Sequence, residues 1–203
     1  MRKFFLAVTL ILVGGGAEAT TLDVVGGQLM GASGLDIGGT LYNVEFVDGS
    51  CIGLFSGCDD LTDFAFSSLP SAALAAQALV SEVFVDGASG AFASDPSLTN
   101  GCFSSSVICV ALTPWDLDFT TSEVVTRDAS NHAASTGLSG SSGGGRTWSI
   151  TQDSGTNAGA FYGSLVYARW TQVPEPSSAL LLCFGLLGLA GLKSRSGRGS
   201  RAR

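Results

Sequence analysis

Positive charge is scarce in this chain of 203 residues, which has 10 Lys and Arg against 17 Asp and Glu. The net charge of −7 argues against nucleic acid as a partner, because contact with phosphates needs clustered basic side chains. Histidine occurs once, as His132, and no phosphate-binding G-x-x-x-x-G-K loop is present. The longest uncharged apolar segment has 14 residues, whereas a membrane-spanning helix needs about 20.

The N-terminus has the layout of a secretory signal peptide. Arg2 and Lys3 precede an apolar run over 4–13, and Ala17-Glu18-Ala19 supplies the small-x-small site of a signal peptidase. We predict cleavage between Ala19 and Thr20, so that residues 1–19 are removed. A retained anchor is the alternative, but this run is too short to cross a hydrocarbon core of about 30 Å.

The last 31 residues combine three features in a fixed order. Val173-Pro174-Glu175-Pro176 comes first, then an apolar segment over 179–192, then a basic tail over 193–203 with five positive and no negative charges. As a helix the apolar segment would be about 21 Å long. Since basic flanks stay cytoplasmic, the sequence predicts one short transmembrane helix with the preceding domain across the membrane.

This arrangement resembles the PEP-CTERM sorting signal of Gram-negative bacteria. The resemblance implies export through the inner membrane by the secretion machinery and cleavage near Pro174-Glu175-Pro176 by an exosortase, a membrane-embedded enzyme. It also implies a cell-surface or extracellular protein associated with exopolysaccharide and biofilm, without implying an activity. Some proteins with this segment are named for ice binding, but this sequence has no Thr-x-Thr array. An ordinary tail anchor is the alternative.

The region between the two terminal segments is predicted to be one secreted domain over 20–172, followed by the sorting segment over 173–203. Its bases are Arg127, Arg146 and Arg169, against 15 acids, so the net charge is −12. Self-repulsion that keeps a secreted protein dispersed explains this charge. Binding of divalent cations or of a cationic matrix is the alternative.

Four cysteines in this region have two equal spacings, Cys51-x6-Cys58 and Cys102-x6-Cys109. An even number in an exported chain predicts disulfides, and three pairings are possible. Six intervening residues fit a hairpin or wide loop, which favours local pairing. By loop entropy each bridge would add about 2.5 kcal/mol. The fifth cysteine, Cys183, lies in the apolar tail and is expected to be a small hydrophobe.

The pattern of the domain predicts strands around one helix. Residues 70–84 form the helix, with Ser68 as N-cap, a buried face of Ala72, Ala76, Leu79 and Val83, and a stop at Gly87. A Ser/Gly-rich stretch over 135–145 is predicted to be a flexible linker. We expect strands at 22–30, 40–48, 102–112 and 120–126, a turn at 34–39, and a final hairpin of 146–152 with 160–171.

We therefore expect a single mainly-β (or α+β) domain, sheet or sandwich-like, with one packed helix. Its expected function is that of a non-catalytic surface or matrix protein without a cofactor or bound metal. Extracellular polysaccharide remains open as a partner, through Trp115 or Trp148.

Catalytic and metal-binding signals are weak. Gly140-Ser141-Ser142-Gly143-Gly144 fits G-x-S-x-G, but it lies in Ser/Gly-rich sequence and His132 precedes it, so we interpret it as a chance match. A secreted hydrolase acting on matrix polysaccharide through paired carboxylates is the alternative function. Calcium binding by acids beside the first cysteine pair is a weaker hypothesis than the capping of a short turn; these acids are Asp48, Asp59, Asp60 and Asp63.

Overall fold

The computed structural model describes residues 19–103, 105–136, 140–155 and 163–174. The described part contains nine strands and two α-helices, the second of which continues into a π-helix at Leu79–Val83. The strands are β1 Thr21–Val25, β2 Gln28–Ile37, β3 Thr40–Val47, β4 Asp86–Gly87, β5 Gly90–Ala91, β6 Ile108–Asp118, β7 Glu123–His132, β8 Ser141–Ser149 and β9 Gly163–Gln172; the helices are α1 Cys51–Leu54 and α2 Leu69–Ala78.

Seven strands form one sheet in the order β1-β2-β3-β9-β6-β7-β8, and β4 pairs with β5 separately. Neighbours in the sheet are antiparallel except β6 and β9, which run parallel with Leu112 opposite Tyr167. Strand β9 is therefore central and joins β1–β3 to β6–β8. The architecture is one sheet rather than a sandwich.

The predicted final hairpin of 146–152 with 160–171 is wrong. Strand β8 pairs with β7 at the edge of the sheet, whereas β9 pairs with β3 and β6. The physical reason is burial: β9 is buried continuously from Ser164 to Ala168, as expected for a central strand covered on both faces, while most of β8 is exposed. The two segments are close in sequence, which favoured a hairpin, but β9 is buried between β3 and β6 instead.

Helix α2 confirms the predicted helix and its cap. The Ser68 side chain accepts a hydrogen bond from the backbone N–H of Ser71, and Pro70 lies in the first turn. The helical residues run to Val83 through the π-helical turn, so the helix ends before the predicted stop at Gly87. The predicted face is fully buried; its members are Ala72, Ala76, Leu79 and Val83.

Alternation along β9 gives the sheet two buried faces. Val166 and Ala168 belong to a larger core that contains α2, whereas Leu165 and Tyr167 belong to a second core on the opposite face. The second core is covered by the loop that the first cysteine pair closes. Both faces of the central strand are therefore packed.

Several predicted boundaries are wrong for local reasons. Gly26 and Gly27, both with positive φ, form a tight turn that divides the predicted strand 22–30 between β1 and β2. Residues 34–37 continue β2, so the predicted turn 34–39 is confined to Gly38 and Gly39.

Later boundaries also shift. The strands expected at 102–112 and 120–126 lie at Ile108–Asp118 and Glu123–His132, because the described residues before Ile108 belong to the loop that the Cys102–Cys109 disulfide closes. Ser141 to Gly145, predicted as linker, belong to β8, because backbone pairing with β7 outweighs the Ser/Gly composition.

The predicted signal peptide, apart from its last residue, and the predicted tail helix lie outside the described residues, as do Ala17, Glu175, Pro176 and Cys183. Within the described ranges no helix has the length and apolar character that a membrane span requires.

Candidate functional site

The chain leaves the sheet directly before the Pro-Glu-Pro sequence. The backbone N–H of Val173 donates to the carbonyl oxygen of Leu41 at 2.8 Å, one residue beyond the end of β9. Pro174 is exposed, and proline has no backbone N–H with which to continue the ladder. Val173 is thus the last described residue that bonds to the sheet. We call residues 174–178, between this point and the apolar segment, the neck.

The start of the domain lies close to this exit. Thr21 begins β1 opposite Ser33, and Ala19 accepts a hydrogen bond from the Thr21 hydroxyl at 3.4 Å. Thr20 contacts Glu82 through its hydroxyl. Both ends of the domain line one shallow surface depression; its residues are Ala19, Thr21, Ser33, Gly34, Asn43 and Val173. The segments before Ala19 and after Val173 are therefore attached at one place on the domain.

Both cysteine pairs form local disulfides, as predicted. The Cα atoms are 5.6 Å apart in Cys51–Cys58 and 6.0 Å apart in Cys102–Cys109. The first bridge closes the loop over the second core, and the second ties the start of β6 to the segment before it. These bridges hold two loops that have little regular structure of their own.

The acids beside the first disulfide stabilise local turns. Asp60 accepts a hydrogen bond from the backbone N–H of Thr62 at 2.8 Å, and Asp63 accepts from the N–H groups of Asp59 and Asp60. The bond from the Thr62 N–H lowers the pKa of the Asp60 carboxyl. In the structure, Asp60 therefore caps a short turn.

Asp48 has a different partner and accepts from the Ser154 hydroxyl at 2.8 Å. Within the described ranges no three His, Cys, Asp or Glu residues are grouped as a metal site would require. In the described part of the chain, Asp48, Asp59 and the neighbours of Asp59 therefore do not form a metal centre.

The candidate catalytic residues do not form a nucleophile elbow. Ser142 lies in edge strand β8 opposite Ala129, whereas an elbow needs a strand, a sharp turn and a helix. His132 contacts the hydroxyl of Ser130 on its own strand, with Nε2 at 3.1 Å from Oγ. Burial lowers the pKa of His132, and its Nδ1 has no hydrogen-bond partner in the described part. The carboxylate that orients histidine in a catalytic triad is missing from this arrangement of described residues.

Sequence reasoning missed an ion pair between β7 and β8 in which the acid is buried and the arginine is half-exposed. Asp128 is only 7% exposed, forms an ion pair with Arg146, and accepts from the Thr126 hydroxyl at 3.0 Å. Burial raises the pKa of Asp128, while the Arg146 hydrogen bond and charge act in the opposite direction. A two-carboxylate glycosidase site would need a second acid facing Asp128. In the described part of the chain Asp128 contacts Arg146 and Thr126, and neither is an acid.

The most exposed aromatic residue in the described part is also not one that the sequence indicated. Trp115 and Trp148 are half-buried against the two cores, and their indole N–H groups are enclosed. Phe119, at the tip of the β6–β7 hairpin, is 69% exposed. Its position between Asp118 and Thr120, both turn-forming residues, was the available signal.

Comparison with known proteins gives one match, which covers the chain exit described above. Residues 172–198 match the model of the PEP-CTERM protein-sorting motif. The chain carries this sorting motif. No curated protein and no solved structure matches the chain. The PEP-CTERM motif starts at Gln172, the last residue of β9, and so adjoins the folded domain without a spacer.

The motif implies that this is an exported protein processed by an exosortase, with delivery to the cell surface of a Gram-negative bacterium. The motif therefore predicts an exosortase as partner and export to the cell surface as the route. The match spans the neck and tail rather than the sheet, so the role of the domain is a separate question.

Proposed function

We propose that the protein is a non-catalytic component of the cell surface or extracellular matrix, held briefly in the inner membrane by its apolar tail and released by exosortase. The sorting motif gives the class of partner and the direction of export. The matrix role and the transient anchor go beyond what the motif implies. They rest on the junction between the sheet and the motif and on the character of the domain.

The observation that carries the proposal is the junction of sheet and motif. Strand β9 is central, the last ladder bond is made by Val173, and Pro174 is exposed. A membrane enzyme can therefore approach Pro174, the first residue of the Pro-Glu-Pro sequence, without unfolding the domain. Between Val173 and the apolar segment at 179 there are five residues, which span at most about 18 Å when extended. The neck would thus hold the folded domain close to the membrane until it is cut.

The character of the domain supports a structural role outside the cell. Two disulfides stabilise its loops, as is usual for exported proteins, and its 15 acids against three arginines favour solubility. Among the described residues Asp128 is the one buried acid, and it is paired with Arg146 rather than with a second carboxylate. These features suit a stable module better than a hydrolase.

A variant of the neck tests the proposal. Replacing Pro174, Glu175 and Pro176 by Ala should leave export intact and retain the full-length chain in the inner membrane, whereas the wild type should leave it. Cell fractionation with immunoblotting measures both outcomes. Pro70→Ala, which alters an exposed proline at the start of α2, is the matched control and should behave like the wild type.

Equal release of the neck variant and the wild type would refute processing at this motif. Retention of both in the inner membrane would instead indicate an ordinary tail anchor.

A further inference from the structure

Thr20, which becomes the first residue of the chain at the predicted cut after Ala19, is held against the main helix by a tertiary contact. Its hydroxyl donates a hydrogen bond to the carboxylate of Glu82, 62 positions later in the chain. Glu82 lies in the π-helical turn that continues α2, next to the fully buried Val83. The fold therefore places the residue at the predicted cut beside a carboxylate.

The pairing of β1 determines the face of the sheet to which Thr20 points. Strand β1 begins at the next residue, where Thr21 lies opposite Ser33 of β2. Side chains alternate between the two faces of a strand, so Thr20 and Leu22 share one face. Leu22 packs against the larger core, which contains α2, and the bond from Thr20 to Glu82 is made on this same face. Strand pairing and core packing thus keep the start of the chain next to Glu82.

The other acids of the neighbouring strands point to the opposite face. Asp23, Asp36 and Glu45 each lie between two residues that belong to the larger core or pack against it. Alternation therefore turns these three carboxylates away from α2. Helix α2 itself has no titratable side chain, and its π-helical turn has only Glu82. Among the described residues of these elements, Glu82 is thus the ionisable group that faces Thr20.

Cleavage after Ala19 would change the chemistry of this contact. In the precursor the Thr20 nitrogen belongs to an uncharged peptide bond, whereas in the mature chain it is an α-ammonium group with an ordinary pKa of about 7.7–8.0. Within one threonine, three bonds separate this nitrogen from the hydroxyl oxygen, so the two atoms are about 3–4 Å apart. The new charge therefore arises within reach of the carboxylate that the hydroxyl already contacts.

The predicted secreted domain has no other ammonium group. The two lysines of the chain, Lys3 and Lys193, lie in the predicted signal peptide and in the basic tail. The bases of the domain are three arginines, against 15 acids. Removal of the signal peptide would thus give the domain a single primary amine.

We propose that removal of the signal peptide completes an ion pair between the new α-ammonium group of Thr20 and Glu82, which fastens strand β1 to the end of α2 in the mature protein. The precursor has only the hydroxyl bond to this carboxylate, and the mature protein adds a charged donor. The pair would secure an edge, because β1 is the first strand of the sheet and has β2 as its one neighbour. The inference rests on the predicted cut and is independent of the matrix role.

The reactivity of the α-amine tests the ion pair. The experiment uses mature protein recovered from the cells that produce it, and mass spectrometry first establishes its N-terminus. Acetic anhydride modifies only the unprotonated amine, so the labelling rate of the N-terminal peptide at a series of pH values gives the pKa of the amine. Glu82 should raise this pKa by about 0.5 or more relative to Glu82→Gln. At pH 7 the wild type should then be labelled about threefold more slowly.

Asp23→Asn is the matched control, because it removes the same charge from an exposed acid on the opposite face of β1. Its labelling rate should equal that of the wild type. Insertion of one glycine between Ala19 and Thr20 moves the ammonium group away by one residue, so the inserted variant should be labelled as fast as Glu82→Gln.

Thermal unfolding gives a second readout. The folded-state pKa of the amine is expected to lie above its unfolded value, so the stability from the pair is fully present below about 7.7 and is lost as pH rises through the raised pKa. The wild type should therefore exceed Glu82→Gln in melting temperature by more at pH 6.5 than at pH 10.

Three results would overturn the proposal: an N-terminus other than Thr20, equal labelling rates for the wild type and Glu82→Gln, or a rate for Asp23→Asn as high as that for Glu82→Gln. The last result would mean that the overall negative charge, and not the contact, acts on the amine. None of these results depends on cleavage at the neck. A protein that stays in the inner membrane can still show the ion pair, and a released protein can lack it.

Discussion

Asp128 shows how one side chain can couple stability to pH. Its folded-state pKa is raised by burial above the ordinary value of 3.8, so the folded protein holds this proton more tightly than the unfolded chain does. The stability that this protonation contributes is fully present below 3.8 and is lost as pH rises through the raised pKa. The nearby Arg146 limits the loss.

We therefore expect Asp128→Asn to remove this pH dependence. The difference in unfolding free energy, wild type minus variant, should fall as pH rises from below 4 toward neutrality, and at neutral pH the variant should be within about 1 kcal/mol of the wild type or more stable. Urea unfolding of both proteins at a series of pH values measures this difference in unfolding free energy. Asp23→Asn, at an exposed acid, is the control. A difference that grows with pH would mean that the Arg146 ion pair outweighs burial.

At the residue scale the sequence predicted local features better than buried partners. The Ser68 cap and the buried face of α2 followed from helical spacing, because both depend on neighbours within a few residues. The Asp128–Arg146 pair was not predictable, since it depends on which strands are adjacent in the sheet.

The first disulfide loop is an element whose contribution can be measured. Replacing Cys51 and Cys58 together by Ser should lower the unfolding free energy by about 2.5 kcal/mol from loop entropy, and more if the second core loosens. Thermal or chemical unfolding of the double variant measures the loss. Non-reducing peptide mapping that linked Cys51 to Cys102 would contradict the local pairing.

Strand β9 is the element on which the whole sheet depends. Ala168 is fully buried in the larger core, whereas its neighbour Arg169 is exposed and forms an ion pair with Glu45 at 2.6 Å. Ala168→Asp would put an unpaired charge in the core and should cost about 3 kcal/mol or more. Arg169→Gln should cost less than about 1 kcal/mol, because exposed ion pairs contribute little. Similar melting temperatures for the two variants would contradict the central position of β9.

Elements were predictable where their signals are local, and their arrangement was not. Two disulfides, one helix and the strand at β3 followed from spacing and alternation. The insertion of β9 between β3 and β6 could not be predicted, because parallel pairing with β6 joins residues more than 50 positions apart. Likewise Ser/Gly composition concealed strand β8, whose stability comes from pairing with β7.

At the scale of the whole molecule, the position of β9 links folding to export. The strand that completes the sheet is the last described one and ends at Gln172, where the sorting motif starts. The sheet can therefore be completed only after the chain has crossed the membrane almost to the neck. The domain would then reach its folded form while still tethered, with both of its ends at one place on its surface.

The mass of the mature protein tests delivery most directly. If the signal peptide and the sorting tail are both removed on the proposed route, protein recovered from the cell surface or medium should begin at Thr20 and end near Pro176, without residues 179–203. Intact-mass and C-terminal peptide mass spectrometry measure both ends in one sample. The neck variant, recovered from the inner membrane, should retain the tail to Arg203. Exported wild-type protein that still ends at Arg203 would contradict the account.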